Sequence, residues 1–106
     1  ELAWIYQAGS RDINCLDEQQ RMRFGHIMYS FFKLFENLYL HYLDGSIERE
    51  VWTNNRAMLV SYANQPGAQK YLGKRKEIFD PRFWGFLEKN KTTDLLSWSE
   101  TADLVE

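Results

Sequence analysis

Residues 24–43, FGHIMYSFFKLFENLYLHYL, constrain the chain more than any other stretch. Phe24, Phe31 and Leu38 stand seven apart, and Met28, Phe35 and Tyr42 form a second seven-spaced set. On a helix of about 3.6 residues per turn these six fall on one stripe. Ile27, Phe32, Leu34 and Tyr39 widen it, while His26, Ser30, Lys33, Asn37 and Asp44 make a wet face. The run is long enough to cross a bilayer, which takes about 20 residues. Lys33, Glu36, Asn37, His26 and His41 lie inside it, however, and each is expensive in hydrocarbon. A central amphipathic helix of a soluble domain, covered by other helices, is therefore expected.

At 106 residues the chain has room for one core and not for two. Aromatic residues reach 16%, so that core must be built largely from rings. A net charge of −2 gives no general reason to bind nucleic acid or an acidic membrane. Cys15 is the only cysteine, which excludes an internal disulfide and a cysteine-based zinc site and suits a reducing compartment. The chain opens on Glu1 rather than Met, as expected of a processed or shortened chain whose N-terminal piece is missing.

Residues 2–8 read as a short helix stopped at Gly9-Ser10, the end of a longer helix entering from upstream. In the connector over 10–16, Ile13 and Leu16 are expected to tuck into the core. Asp17-Glu18-Gln19-Gln20 has the form of a capping box, and Glu18 suits the positive pole of the helix it opens. Gly25 inside that helix suggests close approach of a neighbour. Asp44-Gly45-Ser46 ends the helix, with Ser46 placed to cap the next one. The third helix, about 47–64, aligns Ile47, Val51, Met58 and Tyr62 as its apolar face, flanked by Trp52, Leu59 and Ala63. Gln65-Pro66-Gly67 breaks it, and a short helix over about 67–77 follows. Asp80-Pro81 opens another, to about 88. The class is all-α: an antiparallel helical bundle with two long helices, about 18–43 and 47–64, and several short ones. Residues 1–106 form one helical domain, 1–9 being the end of the upstream helix and 91–106 an acidic tail. In that tail Leu95, Trp98, Ala102 and Val105 keep helical spacing.

The succession RMRF (21–24), FENLYLHYLDG (35–45), EREVW (48–52), QPG (65–67) and KEIFDPRFWGFL (76–87) resembles a group of small bacterial proteins of uncharacterised function. The resemblance covers roughly residues 1–90 and rests on aromatic and capping residues. It implies a helical soluble domain behind an N-terminal membrane helix, and no catalytic residue.

His26 and His41, the only histidines, stand fifteen apart on one helix, about 22 Å from each other. They cannot share an ion, and neither gathers the three or four ligands that zinc usually takes. No metal or cofactor is expected. Glu36 sits at the edge of the apolar stripe, where an unpaired carboxylate is costly. Arg56 in the antiparallel helix is its expected partner in a structural ion pair, with Trp52 or Tyr62 as alternative donors. Lys70, Lys74, Arg75, Lys76 and Arg82 form a basic patch interleaved with Tyr71, Phe79, Phe83 and Trp84. That mixture suits single-stranded nucleic acid or anionic headgroups. Glu77, Asp80 and Glu88 dilute it, and Asp94, Glu100, Asp103 and Glu106 are placed to neutralise it, so no nucleic acid is expected.

With no convergent polar cluster, the expectation is a non-catalytic interaction or scaffolding domain in the cytoplasm, at the inner membrane if an anchor precedes it. Trp4 and Trp98 are the expected contacts with a protein partner or a second copy. A small apolar-ligand or lipid-binding domain is the alternative, and binding of nucleic acid or anionic surfaces through 70–84 the third.

Overall fold

A computed structural model describes residues 2–91. Five α-helices lie among them: α1 (Leu2–Arg11), α2 (Glu18–Leu43), α3 (Arg49–Ala63), α4 (Pro66–Leu72) and α5 (Pro81–Lys89). Two 3₁₀ turns, Ile13–Cys15 and Lys76–Ile78, complete the order, with no strand among the described residues. The all-α antiparallel bundle is the fold, with α2 and α3 as its long hairpin.

The caps explain where α2 lies. The Asp17 side chain accepts the Gln20 N–H at 2.8 Å while Gln20 Oε1 accepts the Asp17 N–H at 2.9 Å, a reciprocal capping box. At the other end Gly45 takes φ +82, a conformation that glycine adopts without steric cost. The Ser46 N–H bonds the His41 carbonyl, closing the helix end. Between those caps 26 residues span about 39 Å, nearly the full 41 Å of the molecule's longest axis.

Several boundaries differ from the sequence reading. Ser46 does not cap α3: its hydroxyl and N–H both bond Asp44, and α3 starts at Arg49 behind Glu48, which makes no side-chain cap. The short fourth helix stops at Leu72, followed by the turn Lys76–Ile78. Most informative is α1, which runs through Gly9 and Ser10 to Arg11. Gly9 serves a crossing and does not terminate the helix. A Cβ on Gly67 would lie 1.8 Å from the Gly9 carbonyl oxygen, and one on Gly9 would lie 2.5 Å from the Phe24 ring. The backbones of α1 and α4 touch there, over a fully buried Phe24.

Gly25 plays no such part. A Cβ there would meet nothing nearer than the Tyr71 ring at 3.8 Å, an ordinary contact. Gly25→Ala is therefore expected to stabilise the protein by about 1 kcal/mol, the helix-propensity difference. Urea unfolding measures this, and a loss of comparable size would mean that α4 packs closer than described.

The core is ring-built, as the composition demands. Phe24, Phe32, Phe83, Ile5 and Leu59 are wholly inaccessible. Trp52 gathers Tyr39, Tyr42 and Phe86 at centroid distances of 5.1, 5.5 and 5.3 Å. Phe31 meets Phe32, Phe35 and Tyr62 at 5.2, 4.8 and 5.3 Å. Leu16 is buried and Ile13 packs against the cluster, as expected of the connector. No described helix is long and apolar enough to cross a membrane.

Candidate interaction surface

The buried face of α3 is Trp52, Leu59 and Ala63. Of the row expected to face inward, Ile47 does pack against the core and Tyr62 meets the Tyr6 and Phe31 rings, but Val51 and Met58 do not turn inward. The helix is rotated relative to the sequence reading, which leaves Val51 and Met58 40% and 42% exposed. On α2, Leu34 likewise leaves the expected core stripe and is 67% exposed. These departures fall on one side of the hairpin. Leu2, 58% exposed, joins Ile27, Phe31 and Leu34 in lining an open trough of about 620 Å³ between α1 and α2, edged by Arg23, His26 and Ser30. Phe31 also meets the Tyr62 ring, and Tyr62 shares its face of α3 with Met58 and Val51 at helical spacing. An apolar strip thus runs from the trough onto α3. Met22 and Tyr29, also exposed, lie roughly 120–140° round α2 from Leu34 and do not belong to it. Trp4, 52% exposed, lies on α1 opposite Leu2, outside the trough. Trp98 falls outside the described residues, as does the acidic tail beyond Lys91.

Glu36 is buried and paired, but not with Arg56. Its carboxylate accepts from Lys33 Nζ at 3.1 Å and from the Asp80 N–H at 2.6 Å. Lys33 donates as well to the Ile78 carbonyl and sits 5.0 Å from the Phe79 ring centroid. Together they fasten the chain to α2 just where α5 begins. Arg56 instead donates to Asn90 Oδ1 at 2.7 Å and lies 5.4 Å over the Phe86 ring. The two charges serve opposite ends of α5, the carboxylate at its positive pole and the guanidinium at its negative one. Nine residues, about 13 Å, separate those poles, which is why the expected pair does not form. Glu36→Ala is expected to cost about 2–3 kcal/mol by orphaning the Asp80 N–H and Lys33, and Glu36→Gln about half that. Equal losses in chemical denaturation would show that the charge, and not the accepted N–H, decides.

The basic patch resolves into local tasks. Lys70 reaches Asn14 Oδ1 at 3.3 Å. Arg75 donates to the Tyr71 carbonyl at 2.7 Å, at the C-terminal end of α4, and lies 4.0 Å over the Tyr71 ring. Arg82 grips Asp80 through two bonds of 3.1 and 3.2 Å. Lys74 and Lys76 are exposed. That grip, with the Arg82 N–H, holds the Asp80 carboxyl below the ordinary value of 3.8. The Asp80 contribution to stability is thus complete above the unfolded value and is lost as pH falls through the lower folded one. Asp80→Ala should lower the Tm at pH 7 and leave it nearly unchanged near pH 2. A pH-independent difference would show that the carboxylate charge is idle.

No group of three or more His, Cys, Asp or Glu converges among the described residues. A concavity of about 170 Å³ lies between α3, α4 and α5, with Ala63, Leu72, Trp84 and Leu87 on its walls and Glu88 and Lys91 at its edge. It is smaller than most ligand sites, and the rings of α2 pack against one another rather than lining it. No protein-family model, curated protein or solved structure matches the sequence.

Proposed function

We propose that this domain is a non-catalytic protein-interaction module that binds through the apolar strip of α1, α2 and α3. The observation that carries the reading is Leu34: two-thirds exposed in mid-helix, it stands beside Leu2, Ile27 and Phe31 with Met58 and Val51 continuing the strip. Contiguous apolar exposure marks contact surfaces more often than single exposed residues do. The trough has the shape of a helix-in-groove site, where anchors three, four and seven apart are read. With the resemblance to membrane-anchored bacterial proteins, the module works in the cytoplasm, held at the inner membrane. Trp4 serves as a separate contact on the far side of α1.

The test is titration of the isotope-labelled full chain with a neutral amphipathic helical peptide carrying leucines at i, i+3, i+4 and i+7. Amide shifts are expected at Leu2, Ile27, Phe31 and Leu34, and their loss in Leu34→Asp. Shifts scattered over the surface, or none at millimolar peptide, would end the reading.

A further inference from the structure

We infer that the concavity between α3, α4 and α5 is the docking site of this chain's own segment 95–98, with Leu95 and Trp98 laid against Leu72, Trp84 and Leu87. The inference is independent of the interaction reading above, because the concavity and the trough share no lining residue. The polar side chains in the lining, Asn64 and Gln69, bond each other at 3.0 Å, and Asn64 Nδ2 also donates to the Val60 and Asn90 carbonyls. What stays open is apolar surface, around a volume of about 170 Å³ that suits one or two side chains better than a separate ligand. Glu88 and Lys91 at the edge are of opposite sign, so they favour neither an acidic nor a basic occupant.

The course of the chain selects the occupant. Its backbone is pinned at this rim. The Asn90 carbonyl accepts from Asn64 at 3.0 Å, Asn90 Oδ1 accepts from Arg56 at 2.7 Å, and the Lys91 N–H bonds the Glu88 carbonyl. Lys91, the last described residue, itself borders the concavity. Thr92-Thr93-Asp94 comes next, polar residues of the kind that make turns, and Leu95 is the first apolar residue beyond them. Four residues span at most about 14 Å, which keeps Leu95 within reach of the opening, and Trp98 shares its face at helical spacing. A segment tethered this closely meets the site at an effective concentration on the order of millimolar, ahead of a free competitor. Trp98, expected from the sequence to touch a partner, thus meets its own domain.

The test compares the isotope-labelled full chain with Leu95→Ser and Trp98→Ser. Neither position lies in α1–α5, so the bundle folds in both variants. Amide shifts are expected at Leu72, Gly73, Trp84 and Leu87, and nuclear Overhauser contacts in the parent between the Leu95 methyls and the Trp84 ring. Hydrogen exchange at Leu72 and Leu87 should accelerate about tenfold in either variant, as the apolar wall is bared. Shifts confined to residues 92–106 would overturn the inference. Shifts at Ile27, Phe31 and Leu34 would place the segment in the trough instead, and overturn it too. Overhauser contacts found only between differently labelled copies in a mixed sample would make the segment a link between chains and overturn its seat in its own domain.

Discussion

Replacing Gly67 with alanine is expected to cost at least about 4 kcal/mol, enough to leave much of the chain unfolded at room temperature. The reason is purely steric. The added methyl would lie 1.8 Å from the Gly9 carbonyl oxygen and 2.8 Å from the Ser10 Cα, all backbone atoms that no rotamer change can move aside. Relief requires α1 and α4 to separate, and separation opens the buried floor beneath them, where Ile5, Leu16 and Phe24 pack. Gly9→Ala should cost less, because its methyl meets side-chain atoms, the Phe24 ring at 2.5 Å and Leu16 at 2.9 Å. Yet Phe24 is wholly buried, so the ring has little room to yield. Urea unfolding of the two variants beside Gly25→Ala separates the cases. Should Gly67→Ala unfold at the wild-type midpoint, the crossing of α1 and α4 is looser than described.

The second large effect is expected at Trp52. Trp52→Ala should remove about 3–5 kcal/mol, the range for emptying a buried aromatic site. The indole joins three elements: it stacks on Tyr42 at an interplanar angle of 19°, leans on Tyr39 of the same helix, and meets Phe86 of α5 edge-on at 68°. Its loss therefore loosens α5 from the hairpin as well as leaving a cavity. Trp52→Phe keeps part of the ring contact and should cost less than half as much. Hydrogen exchange gives the separate reading: in Trp52→Ala, amides of α5 should open before those of α2. Uniform acceleration across both helices would show that the indole fills space without joining the elements.

Most of the chemistry that acts within one turn was legible in the sequence, Ser46 excepted, which bonds Asp44 rather than capping α3. The capping box of Asp17 and Gln20, the Gly45 terminus and the Asp80-Pro81 start depend on residues a few positions apart, and all three stand where the sequence put them. Features set by distant packing were not legible. Gly9 resembles a helix terminator because glycine serves both termination and close approach, and only the position of Gly67, 58 residues on, decides between them. On α3 two apolar rows lie side by side, Val51-Met58-Tyr62 and Trp52-Leu59-Ala63. Periodicity cannot rank them. The bulk of Trp52 beside Tyr39 and Phe86 turns the second row inward. Glu36 was legible as a charge in need of a partner, and the nearby signal for Lys33 was its place one turn earlier. That Asp80 offers its N–H depends on where α5 docks, which no spacing encodes. The strip proposed as the contact surface emerged in the same way, from apolar residues in excess of what the core could take.

The most direct measurement is paired stability and peptide binding in the double variant Leu34→Ser, Met58→Ser. If the strip is a contact surface outside the core, unfolding free energy should stay within about 0.5 kcal/mol of the parent while binding of the leucine-faced peptide is lost. A loss of more than about 2 kcal/mol with binding retained would place these two side chains among the packing residues, and the function elsewhere.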